Sequence, residues 1–114
     1  MSKAFLSHSS KDKELVEKIA RQLGNNNCHY DKFSFEAGAL TLNEIFQKLN
    51  DTDIFVLFIS DSALKSSWVK KEITYAKVLL NKKQIDRIFP IIIDKSINHN
   101  DTRIPLWIRK YIGK

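Results

Sequence analysis

An open, doubly wound α/β domain is the fold class this sequence predicts, and three observations predict it. Ile54-Phe55-Val56-Leu57-Phe58-Ile59 is apolar at both parities, so neither face of that strand can look at water. A parallel sheet covered on both sides meets that demand. Short apolar runs alternate with segments of helical spacing three times along the chain, the pattern of parallel strands joined by crossover helices. A chain of 114 residues has room for one cored domain and not for two, so residues 1–114 are expected to be a single domain.

The first strand is predicted over Lys3 to Ser7, after which Ser7-His8-Ser9-Ser10 carries the chain out of the sheet. From Lys11 to Leu23 the apolar positions Leu15, Val16, Ile19, Ala20 and Leu23 follow helical spacing, with Ser9 and Asp12 placed to cap the start and Gly24 to stop it. Asn25-Asn26-Asn27 signals a turn, and Cys28-His29-Tyr30-Asp31 reads as the second strand. Lys32 to Leu40 carries Gly38 and no periodicity, so it reads as a loop.

Thr41-Leu42-Asn43-Glu44 fits a capping box, in which the threonine hydroxyl and the glutamate side chain each satisfy a free backbone N–H at a helix start. The helix that follows is expected to bury Leu42, Ile45, Phe46 and Leu49. After the third strand, Ser60 to Ser67 reads as a loop, and a helix from about Ser67 to Leu80 puts Val69, Ile73, Ala76 and Leu80 on one stripe. Ile88 to Ile93 returns as a further buried strand, and Pro90 within it marks a position whose N–H is not needed, such as a sheet edge. Pro105 to Tyr111 closes the chain as a short helix.

Composition narrows the functional classes. The longest uninterrupted apolar run, Ile54 to Ile59, is far short of the ~20 residues a membrane-spanning helix needs. Met1-Ser2-Lys3 leads directly into Ala4-Phe5-Leu6 without the charged and apolar regions of a secretory signal. The single cysteine, Cys28, has no second thiol with which to form a disulfide or a cysteine metal site, so a reducing, cytoplasmic setting and no metal are expected. The net charge of +6 is compatible with nucleic acid, an acidic membrane surface or a phosphate-bearing small molecule. Its lysines and arginines are spread over helices and loops in the manner of solvated faces, and no direct nucleic-acid partner is expected.

In open parallel sheets, ligands sit beyond the carboxyl ends of the strands, where the strand order reverses. For the flavodoxin-like order 2-1-3-4 that switch lies between the first and third strands. Trp68 and Glu72 fall on the first two turns of the helix leaving this edge, one turn apart. Both flank the apolar stripe and are expected at the boundary of core and solvent. Two readings stay open: a carboxylate partly desolvated beside an indole for acid or base chemistry, or a tryptophan covering the core with a glutamate favourably near a helix N-terminus.

Four segments taken together resemble the successive motif boxes of Toll/interleukin-1 receptor (TIR) domains. They are Phe5-Leu6-Ser7-His8-Ser9-Ser10-Lys11-Asp12, Phe35-Glu36-Ala37-Gly38, Asp53-Ile54-Phe55-Val56-Leu57-Phe58-Ile59-Ser60 and Ser67-Trp68-Val69-Lys70-Lys71-Glu72-Ile73, in that order and spanning most of the chain. The resemblance implies an NAD+ glycohydrolase of the bacterial type, which cleaves NAD+ to nicotinamide and ADP-ribose or a cyclic product and is activated by self-association in bacterial immune, antiphage signalling. It implies Glu72 as the catalytic residue and Phe5, Ser7, His8, Ser9, Phe35, Ala37, Gly38 and Trp68 as substrate-binding residues. NAD+ enters as substrate, so no cofactor is implied.

The loop matching Lys32 to Leu40 would serve self-association and gating of the pocket. His8 stands where the family often has an aromatic, which implies packing or stacking for it. Family members usually carry a fifth strand after the segment resembling Ile104 to Ile112, where this sequence stops. The expectation is therefore a four-stranded sheet from a chain shortened at its C-terminus and part of a longer effector protein.

Two alternatives belong beside this reading. One is a non-catalytic signalling adaptor that works by TIR-to-TIR contacts through the Phe35-Glu36-Ala37-Gly38 loop and helix surfaces. The other is a phospho-accepting receiver domain, disfavoured because Asp53 precedes the third strand, whereas an accepting carboxylate should stand where Ser60 does. A dehydrogenase or kinase reading lacks its Gly-rich phosphate loop.

Overall fold

The structure, a computed structural model, describes residues 3–24, 28–29, 49–50 and 52–112. Strand β1 (Ala4–Ser7) leads through a 3₁₀ turn (Ser10–Asp12) into helix α1 (Lys13–Leu23). Strand β2 (Cys28–His29) and strand β3 (Ile54–Ile59) follow. Helix α2 (Asp61–Lys65), helix α3 (Ser67–Asn81), strand β4 (Arg87–Ile92) and helix α4 (Leu106–Arg109) complete the order.

The four strands form one sheet in the order β2-β1-β3-β4, and every pairing is parallel. Ala4 to Ser7 register with Ile54 to Leu57, and Ile54 to Ile59 with Arg87 to Ile92. This is the flavodoxin-like order expected from the sequence, with the reversal between β1 and β3.

Side chains alternate across a strand, and the packing follows that parity. Phe5, Phe55, Leu57 and Ile59 point to one face and join Val69, Ile73, Ala76 and Leu79 of α3, with Leu49, Ile104 and Ile108. Phe5 and Phe55, level with one another in register, stack with ring centroids 6.0 Å apart. Leu6 and Phe58 point the other way and pack on Val16 and Ala20 of α1. The central strand is thus covered on both faces, the physical demand its two-parity apolar sequence makes.

Strand β4 departs from expectation. Ile88 and Pro90 are buried but Phe89 and Ile91 are 39% and 44% exposed, so it is a half-covered edge strand and not a fully buried one. Pro90 sits there without harm because an edge strand has one side on which no N–H is required. Helix α2 is also unforeseen: five residues form a turn and a half where a loop is expected between Ser60 and Ser67. Ser60 caps it, its hydroxyl accepting from the Ala63 N–H at 3.0 Å.

Helix α1 starts two residues later than predicted because Ser9 caps the preceding 3₁₀ turn through the Lys11 N–H. Gly24 ends it at φ 90°, a backbone region that costs other residues energy. The predicted loop Lys32 to Leu40 and the capping box Thr41 to Glu44 lie outside the described residues, as do Leu42, Ile45 and Phe46. Of the helix predicted there, Leu49 is described and fully buried.

Candidate functional site

The C-terminal ends of β1 and β3 meet the first turns of α3 on one face of the sheet. Ser7, the last residue of β1, shares parity with Phe5 and so points to the face covered by α3. Glu72 lies on the second turn of α3 next to the buried Val69 and Ile73. These two placements bring the side chains together: the Ser7 hydroxyl donates to Glu72 Oε1 at 2.7 Å, a buried contact between residues 65 apart in sequence.

Glu72 is 2% exposed, which corrects its expected place at the boundary of core and solvent. Position along a helix says which side of the stripe a residue flanks; how far the sheet edge extends over it is a tertiary matter. Charged side chains are almost never this buried without a hydrogen-bonding partner, and the Ser7 hydroxyl is one. Trp68, one turn earlier, is half-buried against the core, with the Lys71 ammonium 5.5 Å from its ring centroid. The tryptophan thus covers core while staying partly accessible.

Around Ser7 the other candidates from the first strand are buried as well. Phe5 belongs to the core through its stack on Phe55. His8 is buried, and its Nδ1 lies 2.8 Å from the Leu6 carbonyl. A carbonyl can only accept, so Nδ1 carries the proton in that contact. Ser9 is buried and spent on capping. Phe35, Ala37 and Gly38 lie outside the described residues.

A second set of polar side chains, which the sequence reading did not pair, ties the same edge together. The Ser60 hydroxyl donates to Asp12 Oδ2, so Asp12 fastens the turn after β1 to the end of β3 instead of capping α1. Asp94, just beyond β4, accepts from the Asp61 N–H at 3.0 Å and from the N–H and hydroxyl of Ser96. Those bonds, the one from the Asp61 backbone first, hold its carboxyl below the usual range.

Arg103 bridges Asp61 at 2.8 Å and Asp101 at 2.9 Å. The only sequence signal for this network was position, since each member follows a strand end or opens a turn. Asp53 stands at the opposite end of β3, where its Oδ2 accepts from the Lys3 N–H at 2.9 Å, so it does not reach the C-terminal edge of the sheet.

Among the described residues no group of three or more histidine, cysteine, aspartate or glutamate side chains is placed to hold a metal ion, and no helix is long and apolar enough to cross a membrane. No curated protein matches the chain. The family model described as the TIR domain matches residues 4–112, which takes in every strand and helix named above. On that match the chain belongs to the TIR domain family.

Proposed function

We propose that this TIR domain is an NAD+ glycohydrolase whose working carboxylate is Glu72, switched on by self-association. The observation that carries the reading is the buried Glu72 carboxylate at the ligand-binding edge of the sheet, gripped by the Ser7 hydroxyl at 2.7 Å. Placing a charge there costs stability, and such costs concentrate at functional sites.

The chemistry suits one carboxylate. When the bond between nicotinamide nitrogen and ribose C1′ breaks, the electron pair leaves with the nitrogen and nicotinamide departs neutral. No general acid is needed to protonate it, in contrast to ordinary glycosides. Positive charge develops on the ribose as an oxocarbenium ion, and Glu72 stabilises it more strongly than the ground state. Water then adds to C1′ and loses a proton, giving ADP-ribose; attack by a nucleophile of the adenine ring gives a cyclic product. Trp68 walls the site, and His8 and Ser9 shape the β1 side of it.

At 2% exposure Glu72 meets a dinucleotide only after groups packed on it move. That requirement fits an enzyme held inactive as a monomer and opened by contacts between copies. The test is NAD+ consumption by concentrated or artificially clustered protein beside a Glu72→Gln variant, with products separated by chromatography. The wild type is expected to consume NAD+ and Glu72→Gln to be about 100-fold slower or worse. Clustered wild type that leaves NAD+ intact moves the reading to a non-catalytic adaptor acting through TIR–TIR contacts.

A further inference from the structure

We infer that Ser7 is a positioning residue for Glu72, and not a substrate contact. The inference rests on the glycohydrolase reading and assigns Ser7 a role within it. Three observations carry it. The Ser7 hydroxyl donates to Glu72 Oε1 at 2.7 Å, a well-formed hydroxyl-to-oxygen hydrogen bond. Ser7 is itself buried, and its backbone is fixed in the β1–β3 ladder opposite Leu57. Glu72 comes from a different element, α3, whose neighbouring Val69 and Ile73 are locked in the core.

A glutamate has three side-chain torsions, and its carboxylate has to face the developing charge to be of use. One rigid strand-end hydroxyl on Oε1 removes much of that freedom and fixes the direction in which the carboxylate faces. A site held within about 0.5 Å by such supporting bonds is what effective charge stabilisation requires. Ser7 therefore acts on the rate of the bond-breaking step, while substrate affinity depends on other groups.

Steady-state kinetics of Ser7→Ala and Ser7→Thr, in the same clustered protein, separate the roles. Ser7→Ala is expected to lower kcat roughly 10- to 100-fold, the loss of one hydrogen bond to a charged group, with KM changed less than about threefold. Ser7→Thr, which keeps the hydroxyl, is expected to recover most of the rate. A rise in KM at unchanged kcat overturns the proposal in favour of substrate contact, and wild-type kinetics in Ser7→Ala overturns it outright. Ser7→Cys, nearly equal in volume but a weak donor, takes the place of Ser7→Ala if the latter melts below the assay temperature.

A second readout needs no turnover. The carboxyl carbon resonance of Glu72, assigned by its loss in Glu72→Gln, is expected to move in Ser7→Ala and to hold its place in Ser7→Thr. An unmoved resonance in Ser7→Ala refutes positioning even where NAD+ is consumed. Intact NAD+ with wild type refutes the glycohydrolase reading instead, so the two failures are told apart.

Discussion

Arg103 shows how a single residue ties together the segments that follow β3 and β4. Its Nε and Nη2 donate to the two oxygens of Asp101 at 3.0 and 2.9 Å, and its Nη1 donates to Asp61 at 2.8 Å. The Arg103 side-chain bonds, followed by the one from its backbone N–H, pull the Asp101 carboxyl down to about 2. Asp61 is lowered too, first by Arg103 and then by Lys65.

An unfolded aspartate titrates near ~3.9, so between about pH 4 and pH 2 the unfolded chain binds a proton that folded Asp101 refuses. The stabilisation is fully present above that unfolded value and is lost as pH falls toward 2. Arg103→Met is expected to flatten this part of the acid limb, read as melting temperature from pH 2 to 5 at low salt. The pair is exposed, so the effect should be modest and shrink with added salt. An unchanged slope would count against the assigned pairing.

Among the elements, α3 matters most because it delivers both Trp68 and Glu72. Its start is set by Ser66, whose hydroxyl accepts from the Val69 N–H at 3.2 Å, whereas Ser67 is the first helical residue. The sequence predicts a helix from about Ser67; adjacent serines look alike until the backbone decides which one is extended, and Ser66 is, at ψ 124°. Ser66→Ala is expected to cost about 1 kcal/mol in urea unfolding. Ser67→Ala should fall within about 0.5 kcal/mol of wild type, since alanine is the better helix former. Equal losses in the two variants would contradict the assigned cap.

Over the whole molecule, stability is carried by the sheet's two covered faces. Leu57, central in β3 with β1 on one side and β4 on the other, is buried in the core shared with α3 and is the position most open to cavity effects. Leu57→Ala is expected to lose 2 to 5 kcal/mol, roughly, by the lost transfer energy and the cavity left behind. That is a large share of the ~5–15 kcal/mol typical of a domain. Leu106, 76% exposed on α4, serves as its control, and Leu106→Ala should stay within about 0.5 kcal/mol. Chemical denaturation with a common m-value reads both; comparable losses would mean that the core is not where the structure places it.

The sequence by itself determined the parallel sheet, because only a strand covered on both faces tolerates Ile54 to Ile59, and it determined the strand–helix alternation through hydrophobic period. It also placed Glu72 and Trp68 on the first two turns of one helix, since helical spacing is a local matter. What it left open is what depends on neighbours distant in the chain. The Ser7–Glu72 bond, the burial of Glu72, the Asp12–Ser60 clasp and the Arg103 bridges all join residues whose separation says nothing of their contact. The half-exposed face of β4 is decided likewise, because an apolar strand is covered only where another element is there to cover it. Period fixes direction along an element; only the packing of elements fixes which polar groups must satisfy one another.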